Sequence, residues 1–140
     1  MPIIWDDSLR TGVFLVDNQH QELFRQINGL HEAMLQGKGR DEVAKLIQFL
    51  DNYTKRHFAE EERFMEERKC PVAEANKMAH RQLLERLGQL KTQFEQQKTG
   101  TTVTMEIYRL MSDWLVRHIK TIDLKLRETS ATVPVAAAQR

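Results

Sequence analysis

His57 and Glu61 are the residues of this chain whose types and spacing point most directly to chemistry. Four residues apart on a helix, they project from the same face, one turn from each other. The apolar residues around them share that face, so the pair points towards a core: Val43, Leu46, Ile47, Leu50, Tyr53, Thr54, Phe64 and Met65. A buried charge is costly unless it is paired or binds a metal. The pair therefore indicates either metal ligands or a partly exposed His–Glu contact at the end of a helix.

Four amphipathic helices are predicted to position these residues. In four successive segments the apolar residues recur at steps of three and four, which is typical of helices with one buried face. Turn and cap residues set the predicted bounds of the helices. The first runs from an N-cap at Asp17 to Gly37, and the second from about Asp41 to about Glu67. The third runs from Pro71 to Gly100, and the fourth begins after a cap at Thr101 or Thr102. Residues 1–16 are expected to form an extended arm, with a bend at Gly12, that covers part of the core. Residues 129–140 are expected to be a flexible tail, which leaves one domain over residues 1–128.

Short connections between four long helices predict an all-α fold, an antiparallel up-down-up-down four-helix bundle. In that topology, His20 lies near the start of the first helix and His57 near the end of the second. His80 lies in the first half of the third helix, and His118 lies towards the end of the fourth. All four imidazoles are therefore expected at the same end of the bundle, each on an inward stripe. The fifth histidine, His31, borders its stripe and is interpreted as a surface or structural residue.

Four inward imidazoles at one level favour a metal centre. A lone inward histidine is usually a core residue with a satisfied hydrogen bond, but four of them would need several separate partners in an apolar core. A metal satisfies them together. Imidazole and carboxylate ligands suit iron, with zinc, copper and manganese as alternatives, and the absence of paired cysteines argues against a structural zinc site. Glu60 and Glu62, on either side of Glu61, are interpreted as solvated.

Composition and charge exclude several other classes of protein. The chain has 140 residues and a net charge of +1 with both signs interspersed, so neither nucleic acid nor an anionic membrane is an expected partner. No apolar run approaches the roughly 20 residues of a membrane span. The first residues lack the pattern of a signal peptide, and the single Cys70, interpreted as a buried thiol without a role, allows no internal disulfide. We therefore expect a cytoplasmic protein.

With these residues placed, the sequence resembles the hemerythrins, particularly the single-domain bacterial ones. The resemblance extends from Trp5 to about Leu126. Its segments, in chain order, are Gly12 with Asp17-Asn18-Gln19-His20, then His57-Phe58-Ala59-Glu60-Glu61, then Pro71 with His80, then Trp114-Leu115-Val116-Arg117-His118-Ile119 through Asp123. Each segment is weak by itself, whereas their order and spacing together are highly specific.

The resemblance implies a centre of two non-haem iron ions joined by an oxo or hydroxo bridge. Carried over to this chain, His20 and His57 would bind one iron, and His80 and His118 would bind the other. Glu61 and Asp123 would bridge the two irons. Periodicity does not select Asp123, because it follows His118 by five residues, roughly 140° around an ideal helix. The resemblance also implies an O2 pocket, lined by Phe58, Trp114, Leu115 and Ile119.

Asn76 departs from the family pattern. The family has a histidine four residues before the position of His80, where this chain has Asn76. A neutral carboxamide oxygen is a poorer iron ligand than imidazole. We therefore interpret Asn76 as a weak or lost ligand, and expect weaker retention of the iron near it and faster autoxidation. Either Asn76 or water would supply the sixth ligand of that iron, or its sixth coordination position would stay open.

The function implied by the resemblance is reversible O2 binding for storage, transport or sensing, with O2 as the partner. An alternative is a di-iron enzyme that reduces peroxide, nitric oxide or O2 through an open iron position. A third interpretation is a site whose metal occupancy is altered by Asn76. The resemblance favours a carrier over an enzyme, and the sequence does not identify a protein partner.

Overall fold

The computed structural model describes residues 2–96 and 102–127. Within these ranges the chain is helical and contains no strand. The four α-helices are α1 (Phe14–Leu35), α2 (Arg40–Glu67), α3 (Ala73–Gln96) and α4 (Thr102–Thr121). Two 3-10 turns, Asp7–Leu9 and Asp123–Lys125, precede α1 and follow α4.

The four helices pack in a ring in which each contacts its two neighbours. The main interfaces join α1 to α2, α2 to α3, α3 to α4, and α4 back to α1. Short connections between consecutive neighbours make the arrangement up-down-up-down. The predicted all-α four-helix bundle is confirmed.

Two apolar clusters fill the bundle, and the inward histidines lie between them along the chain. The larger cluster reaches Phe58 and Ile119, which directly follow His57 and His118 in the sequence. Further from the histidines it includes Leu23, Ile27, Ile47, Leu50, Leu83, Leu87, Ile107 and Met111. The smaller cluster closes the other end and comprises Val13, Val16, Phe64, Met65, Cys70 and Leu126. A polar layer bounded by apolar side chains is shielded from water, which strengthens every charge interaction within it.

The helix α1 begins at Phe14, three residues before the predicted N-cap. Asp17 lies inside the first turn instead, and its carboxylate accepts hydrogen bonds from the backbone N–H and hydroxyl of Thr11, at 2.7 and 2.8 Å. It also accepts from the backbone N–H of Gly12, at 3.3 Å. Gly12 has a φ of 88° and so makes the predicted bend. The prediction of Asp17 as N-cap is wrong, because its side chain holds the preceding loop rather than the free N–H groups of its own helix.

The connection between α2 and α3 is two residues longer than predicted, because α3 begins at Ala73 rather than at Pro71. Lys69 adopts a φ of 53°, and Pro71 lies in a turn two residues before α3 begins at Ala73. Cys70 is buried in this turn, as expected for a thiol that serves packing. Gly100, Thr101 and the predicted tail 129–140 lie outside the described residues, and Thr102 is the first residue of α4.

The N-terminal arm is fastened to the bundle by hydrogen bonds. The backbone N–H and carbonyl of Ile3 pair with the side-chain amide of Asn28 on α1, at 2.9 and 2.8 Å. The arm carries Trp5 against Phe24, with ring centroids 5.5 Å apart. Across residues 2–96 and 102–127, no helix has the length and apolar character that crossing a membrane demands.

Candidate metal centre

Six side chains from all four helical segments meet at one end of the bundle. Each is at most 5% exposed, and the set comprises His20, His57, Glu61, His80, His118 and Asp123. Their ligand atoms form two groups, each with all atoms within 4.8 Å of one another. One group is His20, His57 and Glu61, and the other is Glu61, His80, His118 and Asp123. The structure therefore brings together all six residues that the sequence analysis singled out.

Glu61 belongs to both groups because its two oxygens face different histidines. Oε2 lies 3.2 Å from Nε2 of His20 and 3.3 Å from Nε2 of His57. Oε1 lies 3.1 Å from Nε2 of His80. The i,i+4 spacing of His57 and Glu61 on α2 supplies the first contact, and α1 and α3 supply the others. A carboxylate that divides its oxygens in this way is suited to bridge two metal ions.

Asp123 divides its two oxygens in the same way. Oδ2 lies 3.1 Å from Nε2 of His20, and Oδ1 lies 3.2 Å from Nε2 of His118. The helix α4 ends at Thr121, and Ile122 has a φ of −121° and a ψ of −57°, outside the α-helical region. Asp123 then begins a 3-10 turn. The angle of an ideal helix does not apply across this break, which is why periodicity could not select Asp123.

The geometry of the six residues fits metal ligands better than hydrogen-bond partners. Two ligand atoms that are each about 2.1 Å from a metal, at right angles, lie about 3 Å apart. The contacts of 3.1 to 3.3 Å between Nε2 atoms and carboxylate oxygens are close to that separation. Among the described residues, Nε2 of His80, Oε1 of Glu61 and both oxygens of Asp123 have no hydrogen-bond partner, although they are buried. Buried polar atoms normally have partners, so atoms that approach without hydrogen bonding point to a shared ion.

Two histidines are hydrogen-bonded, through the ring nitrogen that faces away from the centre, to residues that the sequence did not single out. Nδ1 of His57 donates to Oε1 of Gln19 at 2.7 Å, and the amide nitrogen of Gln19 donates in turn to Glu60. Nδ1 of His80 donates to Oε2 of Glu62 at 2.9 Å. Such contacts set the ring orientation and leave Nε2 free to bind a metal.

Glu60 and Glu62 are half-buried, so their interpretation as solvated residues is wrong. The helix turn places them about 100° to either side of Glu61. From there they reach the outer nitrogens of the centre, directly in the case of Glu62 and through Gln19 in the case of Glu60. The signal that was available is their position next to a predicted ligand, as Gln19 is next to His20.

Aromatic rings cover two of the imidazoles. Phe58 stacks on His80 with ring centroids 3.6 Å apart, and Trp114 stacks on His118 with centroids 4.2 Å apart. Of the four residues predicted to line an O2 pocket, Phe58, Leu115 and Ile119 are buried and Trp114 is half-buried. His31 belongs to neither metal group and stacks on Tyr108, with centroids 4.6 Å apart.

Burial and neighbouring ionisable groups shift the pKa values of the side chains at the centre. Burial opposes protonation of His20, but the neighbouring carboxylates of Asp123 and Glu61 outweigh it and raise the pKa of His20 to about 10. Burial lowers the pKa of His57. For Glu61 burial acts to raise the pKa, but the adjacent imidazoles of His57, His20 and His80 hold it well below its usual value. Without metal the centre therefore holds an ionised Glu61 and a proton on His20, which a metal ion must displace.

Asn76 also faces the centre. Its side chain is fully buried, and Oδ1 lies 2.8 Å from Nε2 of His118. Its amide nitrogen has no hydrogen-bond partner among the described residues.

Comparisons of sequence and structure with known proteins support the resemblance over most of the chain. Residues 11–128 match the family model described as the hemerythrin HHE cation binding domain. A bacteriohemerythrin of Pseudomonas aeruginosa is 36% identical over 121 residues, which cover 86% of this chain and 76% of the relative. Myohemerythrin of Sipunculus nudus is 29% identical over 126 residues, 90% of this chain and 92% of the relative. A crystal structure of wild-type hemerythrin superposes with a TM-score of 0.79 at 29% identity, and the match covers 89% of this chain and 94% of that one.

Proposed function

The chain belongs to the hemerythrin family, whose members are O2-binding di-iron proteins, and on that premise we propose that it binds O2 reversibly at two non-haem iron ions. The observation that carries this proposal is the division of the two buried carboxylates. Glu61 and Asp123 each direct one oxygen towards one group of histidines and the other oxygen towards another.

The proposed ligand set follows from these two groups. His20 and His57 would hold one iron, and His80 and His118 would hold the other. Glu61 and Asp123 would be shared, because each also contacts His20. Imidazole and carboxylate donors suit iron, and the absence of a thiolate among them argues against a structural zinc site. When bound, the two iron ions supply the electrons that O2 takes up and returns.

The surrounding side chains keep the centre dry. Phe58 and Trp114 cover imidazole rings, and Leu115 and Ile119 are buried members of the main apolar cluster. Exclusion of water suppresses side reactions of a bound oxidant, so this lining supports an O2 pocket. Gln19 and Glu62 hold His57 and His80 in the orientation that turns Nε2 inward.

We place the protein in the cytoplasm and assign it a carrier, storage or sensing role. A single buried cysteine without a disulfide partner supports a reducing compartment. The enzyme alternative requires an open position on the second iron. The amide oxygen of Asn76 lies 2.8 Å from Nε2 of His118. There it would fill the position that the enzyme needs open, which supports the carrier instead.

The test is metal content followed by reversible oxygenation. We expect protein purified without added metal to contain about two iron ions per chain, and to show an absorption band in air that disappears on deoxygenation and returns with O2. A Glu61→Ala variant should lose both iron and the band. The matched control is Glu67→Ala, which removes an exposed carboxylate from the same helix.

Absence of iron, or a band that bleaches irreversibly, would contradict the proposal. Sustained consumption of peroxide, nitric oxide or O2 with a reductant would favour the enzyme instead.

A further inference from the structure

We propose that Asn76 is itself a metal ligand through Oδ1, so that one half of the centre is built on two imidazoles and an amide oxygen. This inference rests on the proposed function, because it concerns the same pair of metal ions. On this inference Asn76 is not a lost ligand but a weaker one, an amide oxygen in place of an imidazole.

The position and direction of Asn76 carry the proposal. It precedes His80 by four residues on α3, so both side chains project from one face of the helix. Oδ1 lies 2.8 Å from Nε2 of His118, and the same nitrogen lies 3.2 Å from Oδ1 of Asp123. Two ligands of one metal ion at right angles lie about 3 Å apart. The amide oxygen is therefore at a ligand's distance from His118, on the side of the ring that faces the centre.

Gln19 shows what an amide does when it only supports a ligand. It contacts Nδ1 of His57, the nitrogen that faces away from Glu61, and it uses both ends of its amide, with Oε1 on His57 and the nitrogen on Glu60. Asn76 instead contacts the inward nitrogen of His118 and leaves its own nitrogen without a hydrogen-bond partner in the described part of the chain. A buried amide with only its oxygen engaged, towards a cluster of ligand atoms, has the arrangement of a donor to metal.

A competing interpretation is a hydrogen bond from a protonated Nε2 of His118 to Oδ1 of Asn76. In that case a proton occupies the nitrogen that a metal would need, and His118 and Asn76 are both lost as ligands. The two interpretations differ in what removal of the oxygen does. If Asn76 is a ligand, its removal weakens metal binding, whereas if it holds a competing proton, its removal strengthens binding.

An amide oxygen is neutral and binds iron less strongly than imidazole. The half that contains Asn76, His80 and His118 should therefore release its metal ion before the half that contains His20 and His57. Release of metal from the full chain should consequently occur in two phases, and only the faster phase should respond to residue 76.

The experiment follows transfer of Fe²⁺ to a coloured chelator under anaerobic conditions. The full chain and its variants are loaded with Fe²⁺, and bound iron is counted before release. We expect the unmodified chain to show a fast and a slow phase of equal amplitude. Asn76→Ala should speed the fast phase about tenfold and Asn76→His should slow it about tenfold, by the scale of effects seen around metal ligands. The slow phase should change in neither variant.

Two further variants guard against indirect effects. Asn76→Asp keeps an oxygen at the same place and adds charge, so it should slow the fast phase even if Asn76→Ala folds poorly. Asn52→Ala removes an exposed asparagine from α2 and should leave both phases unchanged. Equal fast phases in the unmodified chain and the alanine variant, or a slower one in the alanine variant, would overturn this inference alone. Failure of the unmodified chain to bind iron would overturn the proposed function and this inference together.

Discussion

His80 donates a hydrogen bond from Nδ1 to the carboxylate of Glu62 across 2.9 Å. This contact fixes which ring nitrogen carries the proton and turns Nε2 towards Glu61, 3.1 Å away. Since a carboxylate also makes the imidazole more basic, Glu62 should strengthen the bond from His80 to a metal. His57 has the neutral amide of Gln19 in the equivalent place, so the two halves of the centre differ in how their histidines are supported.

Replacing Glu62 with Gln should weaken iron binding. The substitution keeps an acceptor for Nδ1 of His80 but removes the charge, and we expect affinity to fall about tenfold. Competition with a chelator measures this affinity. The control is Glu67→Gln on the same helix, where the carboxylate is exposed. Equal affinities for the two variants would show that the charge of Glu62 does not reach the metal.

Replacing Gln19 with Ala should loosen His57. The ring then loses its acceptor at Nδ1, and Glu60 loses the amide that contacts it. We expect iron loss from the half that holds His20 and His57 to become about tenfold faster. Chelator-driven release measures the effect, with the exposed Gln82→Ala as control. A change confined to the other half of the centre would contradict the assignment of Gln19 to His57.

The metal-free protein should become less stable as the pH rises. His20 has a pKa of about 10 in the folded chain and 6.5 as its ordinary value. A group whose pKa is raised on folding stabilises the folded state fully below its unfolded pKa and loses this contribution as the pH passes through its folded pKa. The free energy of unfolding in urea should therefore fall between pH 6.5 and 10.

His20→Gln should remove most of this pH dependence from the metal-free protein, because it removes the group that titrates. His31→Gln should keep it, since His31 lies outside both metal groups. In the same pH range, iron affinity should rise with pH, because a metal must displace the proton on His20. A pH-independent iron affinity would contradict this assignment of the proton.

Replacing Leu115 with Ala should shorten the lifetime of the oxygenated protein. Leu115 is 1% exposed and lies three residues before His118, so its truncation leaves a cavity beside the centre. We expect a loss of about 2 to 5 kcal/mol in the free energy of unfolding and faster autoxidation, as water gains access. The decay of the absorption band in air measures the lifetime.

Leu87→Ala separates the effect on the pocket from the effect on stability. Leu87 is also 1% exposed, but it lies two turns from His80 along α3, about 10 Å further into the apolar cluster. This control should lose similar stability and keep the lifetime of the unmodified chain. Equal lifetimes for the two variants would show that Leu115 does not protect the centre.

How much the sequence predicted depended on whether a residue lies within a regular helix. His57 and Glu61 share a face because a helix repeats every 3.6 residues, so their meeting is a local property of α2. Asp123 follows a break after Thr121, and the direction of its side chain depends on the dihedral angles of Ile122. No periodic pattern contains that information, and only resemblance to a family selected Asp123.

By itself, the sequence determined that four amphipathic helices form and that their histidines lie at one level of the bundle. Hydrophobic periodicity suffices for this, because burial of one face sets both the helix and its inward side. The tertiary structure alone decided which polar atoms meet between helices: Glu62 with His80, Gln19 with His57, and the oxygen of Asn76 with His118. Those contacts join residues 18 to 42 positions apart, and their distances depend on how the helices pack, to within a fraction of an ångström that sequence spacing does not encode.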